Sequence, residues 1–307
     1  MRRGLIIKTE GPSPILLLFP SSVLGSIVTM KLSPWGTFRR MPLGLVMVWT
    51  TTFVTGCAHD GRHGSFNWDR ARFVDLTHAF GSDTIVWPTE QEFRLIVQHA
   101  EQSEGGYYYA SNRIEMPEHG GTHIDAPVHF SRGGRTVDQI PLDGLIGRAV
   151  RVDVRSRCEE DRDYCVTVQD LERWEAEHGR IPDRAIVLLE TGYGRYWPSR
   201  ERYLGTEQRG SDGVRALRFP GLHPDAAAWL IRERRIKAVG IDTASIDHGR
   251  STTFDTHVTL LAHQVPVFEN LAELRQLPDR DFAVIALPMK IAGGTGGPLR
   301  IIAVITR

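Results

Sequence analysis

The sequence predicts an α/β fold, a single domain with a mixed β-sheet and flanking helices. Three observations carry this. Short segments alternate apolar and polar residues or run apolar throughout, as strands do. Capped helical segments lie between them. Strands come first, and strands mixed with helices follow. Apolar residues make up 41% of the 307, enough for a sizeable core. No internal repeat, low-complexity tract or linker appears after residue 66, so the chain reads as one domain over 70–307. Before it come a leader over 1–57 and a linker over 58–69. Lys+Arg and Asp+Glu both number 37. This zero formal charge argues against a nucleic-acid binder, which needs a basic surface to meet phosphates.

In chain order, the leader carries Lys31, Arg39 and Arg40, then an apolar run from Leu43 to Val54, then Val54-Thr55-Gly56-Cys57. This is the layout of a secretory signal. Small residues before a cysteine resemble the lipobox of bacterial lipoproteins, with Cys57 the lipidated residue. The apolar run is short for a membrane span of about 20 residues. The expectation is therefore export with a lipid anchor in the cell envelope, the alternative being a cytoplasmic protein. Nothing before Met30 fits a signal, and Met1, Met30 and Met41 are all candidate starts.

Beyond the leader, Phe93, Leu95 and Val97 alternate with Glu92, Arg94, Ile96 and Gln98 and predict a strand, though Ile96 blurs the pattern, and Ala149 to Val154 alternate more cleanly. Cys158 and Cys165 flank a polar run and could close a small loop by a disulfide or stay unpaired. Thr167 with Asp170 has the form of a capping box. It opens a helix with Val168, Leu171 and Trp174 on one face and a stop near Gly179. Ala185 to Leu189 is a buried strand. Pro224 suits the first turn of a helix reaching about Arg234. Lys237 to Ile241, Phe282 to Leu287 and Leu299 to Ile305 are further strands.

The segment from His119 to His129 carries the chemistry. Gly120, Gly121 and Pro127 oppose a helix there. Read as extended chain, period-two alternation puts His119, His123, Asp125 and His129 on one face. Full extension would part His119 and His123 by about 13 Å, too far for one ion. The chain must kink, and Gly120-Gly121 allows it. Imidazoles and a carboxylate suit Zn²⁺, Mn²⁺ or Fe²⁺ better than Ca²⁺ or Mg²⁺. Downstream, His257 and Glu269 are twelve apart across a short helix, a turn and a strand.

The pattern His-x-Gly-Thr-His-x-Asp-x-Pro-x-His, present from His119 to His129, resembles that of the cyclase-like metal hydrolases, which include bacterial kynurenine formamidase and isatin hydrolase. Val74-Asp75-Leu76-Thr77, Val86-Trp87-Pro88, Asp138 to Leu142, Gly240 to Asp247, Phe268-Glu269-Asn270-Leu271 and Ile285 to Lys290 are similar to further family blocks, so the resemblance spans about 70–307. It implies a swivelling β/β/α domain that forms homodimers or larger assemblies. It implies that His119, His123 and Asp125 bind one metal. His257 and Glu269 bind a second, with Asp125 bridging and Zn or Mn as the ions. It makes His129 the acid/base and Trp87 a substrate-side aromatic. The implied reaction is hydrolysis of a carbon–nitrogen bond by metal-activated water, in an arylformamide of tryptophan catabolism or in a cyclic amide such as isatin. A non-catalytic, metal-holding envelope lipoprotein that binds a small ligand is the competing reading. Where the family often has Gly-Asp after Trp-Pro, this chain has Thr89-Glu90, which leaves the substrate open. His78, His223 and His248 are weaker candidates, for pocket or capping positions. Tyr107 to Tyr109 form an aromatic run.

Overall fold

The computed structural model describes residues 70–306; the leader, the linker and Cys57 lie outside them. Among the described residues twelve strands form: β1 (Arg72–Asp75), β2 (Arg94–Gln102), β3 (Tyr108–Glu115), β4 (His123–Asp125), β5 (Ile146–Asp153), β6 (Cys165–Val166), β7 (Ile186–Glu190), β8 (Gly221–Leu222), β9 (Ala238–Ile241), β10 (Val267–Glu269), β11 (Phe282–Pro288) and β12 (Gly296–Ile305). Seven helices accompany them: α1 (Leu142–Leu145), α2 (Arg155–Glu160), α3 (Val168–His178), α4 (Arg200–Leu204), α5 (Gly210–Arg215), α6 (Pro224–Arg234) and α7 (Asp255–Ala262). The mixed α/β architecture is the one the sequence predicts, and the expected strands and helices form within a few residues of their predicted ends. Thr167 and Asp170 make the expected reciprocal cap on α3, Gly179 ends that helix, and Pro224 opens α6.

Eight strands share one mixed sheet in the order β1-β12-β11-β5-β7-β9-β10-β4, and β4 also pairs with β12, closing a ring. The strands β5, β7, β9 and β10 run parallel, and the remaining pairings are antiparallel. Closure puts alternate residues into two cores. Ile124, Ala149, Ile186, Leu188, Ala238, Phe268 and Ile301 belong to a cluster fed by all eight strands, the inside of the ring. Val150, Val187, Leu189, Val239 and Val267 pack outward, with Leu171, Leu230 and Leu260 of α3, α6 and α7. The parallel strands are thus covered on both faces, which is why Ala185 to Leu189 reads as an unbroken apolar run.

The strand expected around Phe93 to Val97 forms as β2; its Leu95 and Val97 are 55% and 63% exposed, because β2 pairs only with β3 in a separate two-stranded ribbon. One expectation changes. The extended chain from His119 does not reach His129. It ends at Asp125, and Pro127–His129 forms a 3₁₀ turn with proline at its start. Cys158, buried on α2, and Cys165 are free thiols. None of the helices among the described residues is long and apolar enough to cross a membrane.

Candidate metal centre

The kink that the histidine spacing demands is at Gly121, with φ of +62°. A Cβ there would lie 2.5 Å from the Phe80 ring, so the position needs glycine on both counts. Asn270 fixes the kink by donating from Nδ2 to the Gly121 carbonyl at 2.8 Å. Past it, Ile124 points into the ring, so His123 and Asp125 face outward. The β10–β4 register sets Phe268 opposite Ile124 and Glu269 opposite His123. Glu269 therefore emerges on the same face as the histidine.

Each imidazole is aimed by one nitrogen and offers the other. His123 Nδ1 donates to the Gly121 carbonyl at 2.9 Å. Its Nε2 lies 3.2 Å from Asp125 Oδ1 and 3.5 Å from Glu269 Oε2. His257, in the first turn of α7, has Nδ1 2.6 Å from Asp247 Oδ2. Its Nε2 is 3.0 Å from Asp125 Oδ2 and 3.2 Å from Glu269 Oε1. His119 Nε2 meets Thr295 Oγ1 at 2.9 Å and Nδ1 lies 2.6 Å from Asp125 Oδ1. Gly296 makes room for this ring, since a Cβ would come within 2.6 Å of His119 Cε1. His129, on the 3₁₀ turn, stacks on His119 with ring centroids 3.8 Å apart.

His123, Asp125, His257 and Glu269 are buried, and two carboxylates buried side by side repel. Burial and the charge of Asp125 push the Glu269 carboxyl up. For Asp125, burial works in the opposite sense to its hydrogen bonds, and those to His119, His123 and His257 prevail, holding it well below the usual range. Burial lowers His123, but Asp125 and Glu269 outweigh it and raise the imidazole to about 8. Such a set is satisfied by cations. Two groups offer one ligand atom per residue, all within 4.8 Å of one another: His119, Asp125 and His129, and His123, Asp125 and Glu269. Nitrogen and carboxylate donors in these numbers fit Zn²⁺, Mn²⁺ or Fe²⁺.

The cluster lines a cavity of about 240 Å³ whose wall also includes Trp87, Val86, Phe130 and Phe254, with Glu90, Ser245 and Asn270 on its lining as well. The Cyclase family model matches residues 74–248. The chain belongs to the cyclase-like family of metal-dependent hydrolases. It is an enzyme of that family, and the relatives agree. Isatin hydrolase of Roseibium aggregatum is 28% identical, with 76% of this chain and 92% of that protein covered. Kynurenine formamidase of Salinibacter ruber is 29% identical, with 74% and 94% covered. Among solved structures, isatin hydrolase A of Labrenzia aggregata bound to benzyl benzoate superposes with a TM-score of 0.70 at 33% identity, covering 78% of this chain and 95% of that one.

Within this hydrolase the four residues singled out by the motif, His119, His123, Asp125 and His129, and the downstream pair His257 and Glu269 meet in one place, and Trp87 lines the same cavity. Tyr107, Tyr108 and Tyr109 do not line it and are at least half exposed. His78 stacks on Trp197 instead, His223 caps α6, and His248 is absent from the lining. Sequence reasoning missed Phe130, Phe254 and the supporting role of Asp247. Phe130 follows His129 directly, a signal that was available. Asp247 lies ten residues from His257 across a loop, and no spacing rule connects them.

Proposed function

We propose that this enzyme hydrolyses the carbon–nitrogen bond of an aromatic amide. Ring opening of a cyclic amide of the isatin type is the first reading, and cleavage of an arylformamide is the second. The observation that carries this is two overlapping groups of imidazole and carboxylate donors, His119, Asp125 and His129, and His123, Asp125 and Glu269, with His257 beside them, on the lining of an aromatic-walled cavity. The 33% identity and TM-score of 0.70 to an isatin hydrolase favour the first reading, and the 29% identity to a kynurenine formamidase supports the second. In this proposal His119, His123 and Asp125 would hold one divalent ion, Zn²⁺ or Mn²⁺. His257 and Glu269 would hold another, with Asp125 available to both. When bound, such ions supply an acidified water and positive charge beside a developing oxyanion.

The chain's own groups do the rest. Trp87, Phe130 and Phe254 hold the aromatic ring and keep bulk water out. Water adds through oxygen to the amide carbon, the carbon–nitrogen bond breaks, and the leaving nitrogen takes a proton. His129 carries that proton. Burial, with His119, His257 and His123 around it, pushes its imidazole down to about 4 against the pull of Asp125, so it is neutral at pH 7 and able to accept. Its neighbourhood also puts it within ligand range of His119 and Asp125, and the experiment must separate the two roles. His129→Ala, loaded with Zn²⁺ or Mn²⁺ and assayed on isatin and N-formylkynurenine, is expected to keep its metal content while kcat falls on the order of 10²-fold or more. Loss of an ion together with activity would make His129 a ligand and remove it as the proton carrier. We further propose that the enzyme is exported and lipid-anchored through Cys57, the reading that the leader sequence supports.

A further inference from the structure

The cavity lining has an uneven charge. Among the described residues, apart from the histidines and carboxylates of the metal cluster, its one charged residue is Glu90, and no lysine or arginine lines it. The loop bearing Glu90 is tied down through its backbone. The Glu90 N–H donates to the Trp87 carbonyl at 3.0 Å, and the Pro88 carbonyl accepts from Gly210 N–H at 2.9 Å. The Arg209 guanidinium donates to the Glu90 carbonyl. Arg209 is thus engaged with the main chain, and among the described residues no ion pair forms to the Glu90 carboxylate. The Glu90 carboxylate is exposed at the cavity wall, and the Arg209 guanidinium beside it is bonded to the carbonyl rather than paired with the carboxylate. A carboxylate there attracts a positive group on a ligand and repels a negative one.

We propose that Glu90 is a specificity-determining residue. It selects aromatic amides whose end remote from the scissile bond is uncharged or cationic and rejects those with a carboxylate there. This rests on the aromatic-amide reading above and narrows its substrate class. Among cavity residues, nothing else supplies a charge that could favour an anionic tail, since the cluster's cations would engage the scissile end.

The test uses metal-loaded wild type, Glu90→Gln and Glu90→Lys with three probes: formanilide, its 4-aminomethyl derivative and its 4-carboxylate. Both kcat/KM and calorimetric Kd are measured, each divided by the formanilide value in the same protein, which cancels substituent effects on reactivity. In wild type the aminomethyl probe should exceed the carboxylate. Glu90→Gln should shrink that ratio roughly three- to tenfold, as expected for an exposed charge acting on two probes of opposite sign, and Glu90→Lys should reverse it. A ratio that does not change across the three proteins overturns the proposal, whatever the turnover. A calorimetric ratio that follows residue 90 without hydrolysis of any probe upholds the selectivity and overturns the amide-hydrolase reading. Absence of both binding and turnover overturns both.

Discussion

Asp125 faces three imidazoles at once, and each of its oxygens is used: Oδ1 by His119 and His123, Oδ2 by His257. Such a carboxylate could serve two ions, as proposed above. The spacing in His119 to His129 made its grouping with His119 and His123 legible, because period-two alternation and a glycine kink follow from covalent geometry alone; the approach of His257 was implied only by the family resemblance. The role of His129 was less legible, because its position depends on the 3₁₀ turn after Pro127 folding it back over His119. The thiols make a separate residue-scale prediction. Burial, then the carboxylates of Asp247, Asp161 and Asp163, push Cys165 up to about 11, and burial pushes Cys158 higher still. The thiolate is the reactive form, and a raised pKa empties it at every pH below that value. At pH 8, alkylation of native Cys165 by iodoacetamide should be slower than that of an ordinary thiol on the order of 10²-fold. The rate should climb about tenfold per pH unit toward 11. A rate that levels off near pH 9 would show an unperturbed thiol.

At the scale of elements, α7 shows how a helix start is made to serve a site. Its N-cap residue, Phe254, supplies no side-chain acceptor. Asp247 substitutes from a neighbouring loop, accepting from Thr256 N–H at 3.0 Å and His257 N–H at 3.1 Å. The same carboxylate holds His257 Nδ1, so capping the helix and aiming the imidazole are one act, as outer carboxylates do for metal-bound histidines. Asp247→Asn is expected to weaken binding of the ion proposed to sit on His257 and Glu269 by about 10- to 100-fold. Titration with Zn²⁺ or Mn²⁺ under calorimetry reads this directly, with circular dichroism checking that α7 persists. Unchanged affinity with an intact fold would reduce Asp247 to a cap. The helix–turn–strand order between His257 and Glu269 was readable from local pattern, whereas the Asp247 contact was not, because it crosses a loop. The β2–β3 ribbon shows the same limit: alternation in Leu95 and Val97 predicts a strand but not what covers it.

For the whole molecule, the site sits where the ring closes. The strand β4 has only three residues, yet it pairs with β10 on one side and with Gly296–Pro298 of β12 on the other. Two of the proposed ligands lie on β4, one on β10 and one on α7, so ions there would tie the closing strand to its neighbour and to the helix layer. Without them, Asp125 and Glu269 confront each other in a buried space across that seam. Ligands that bind only the folded state stabilise it by mass action, about 2.7 kcal/mol at a free-ion concentration 100 times Kd. In a domain of this size that corresponds to a rise in Tm of roughly 5–10 °C. Thermal unfolding of chelator-treated protein, repeated as Zn²⁺ or Mn²⁺ is added, should show this rise, saturating with occupancy. Amide exchange should slow most in Thr122–Asp125 and Val267–Glu269, the two sides of the seam. A Tm indifferent to metal, or protection spread evenly over the domain, would mean that the ring closes without help from the ions and that the cluster serves chemistry alone.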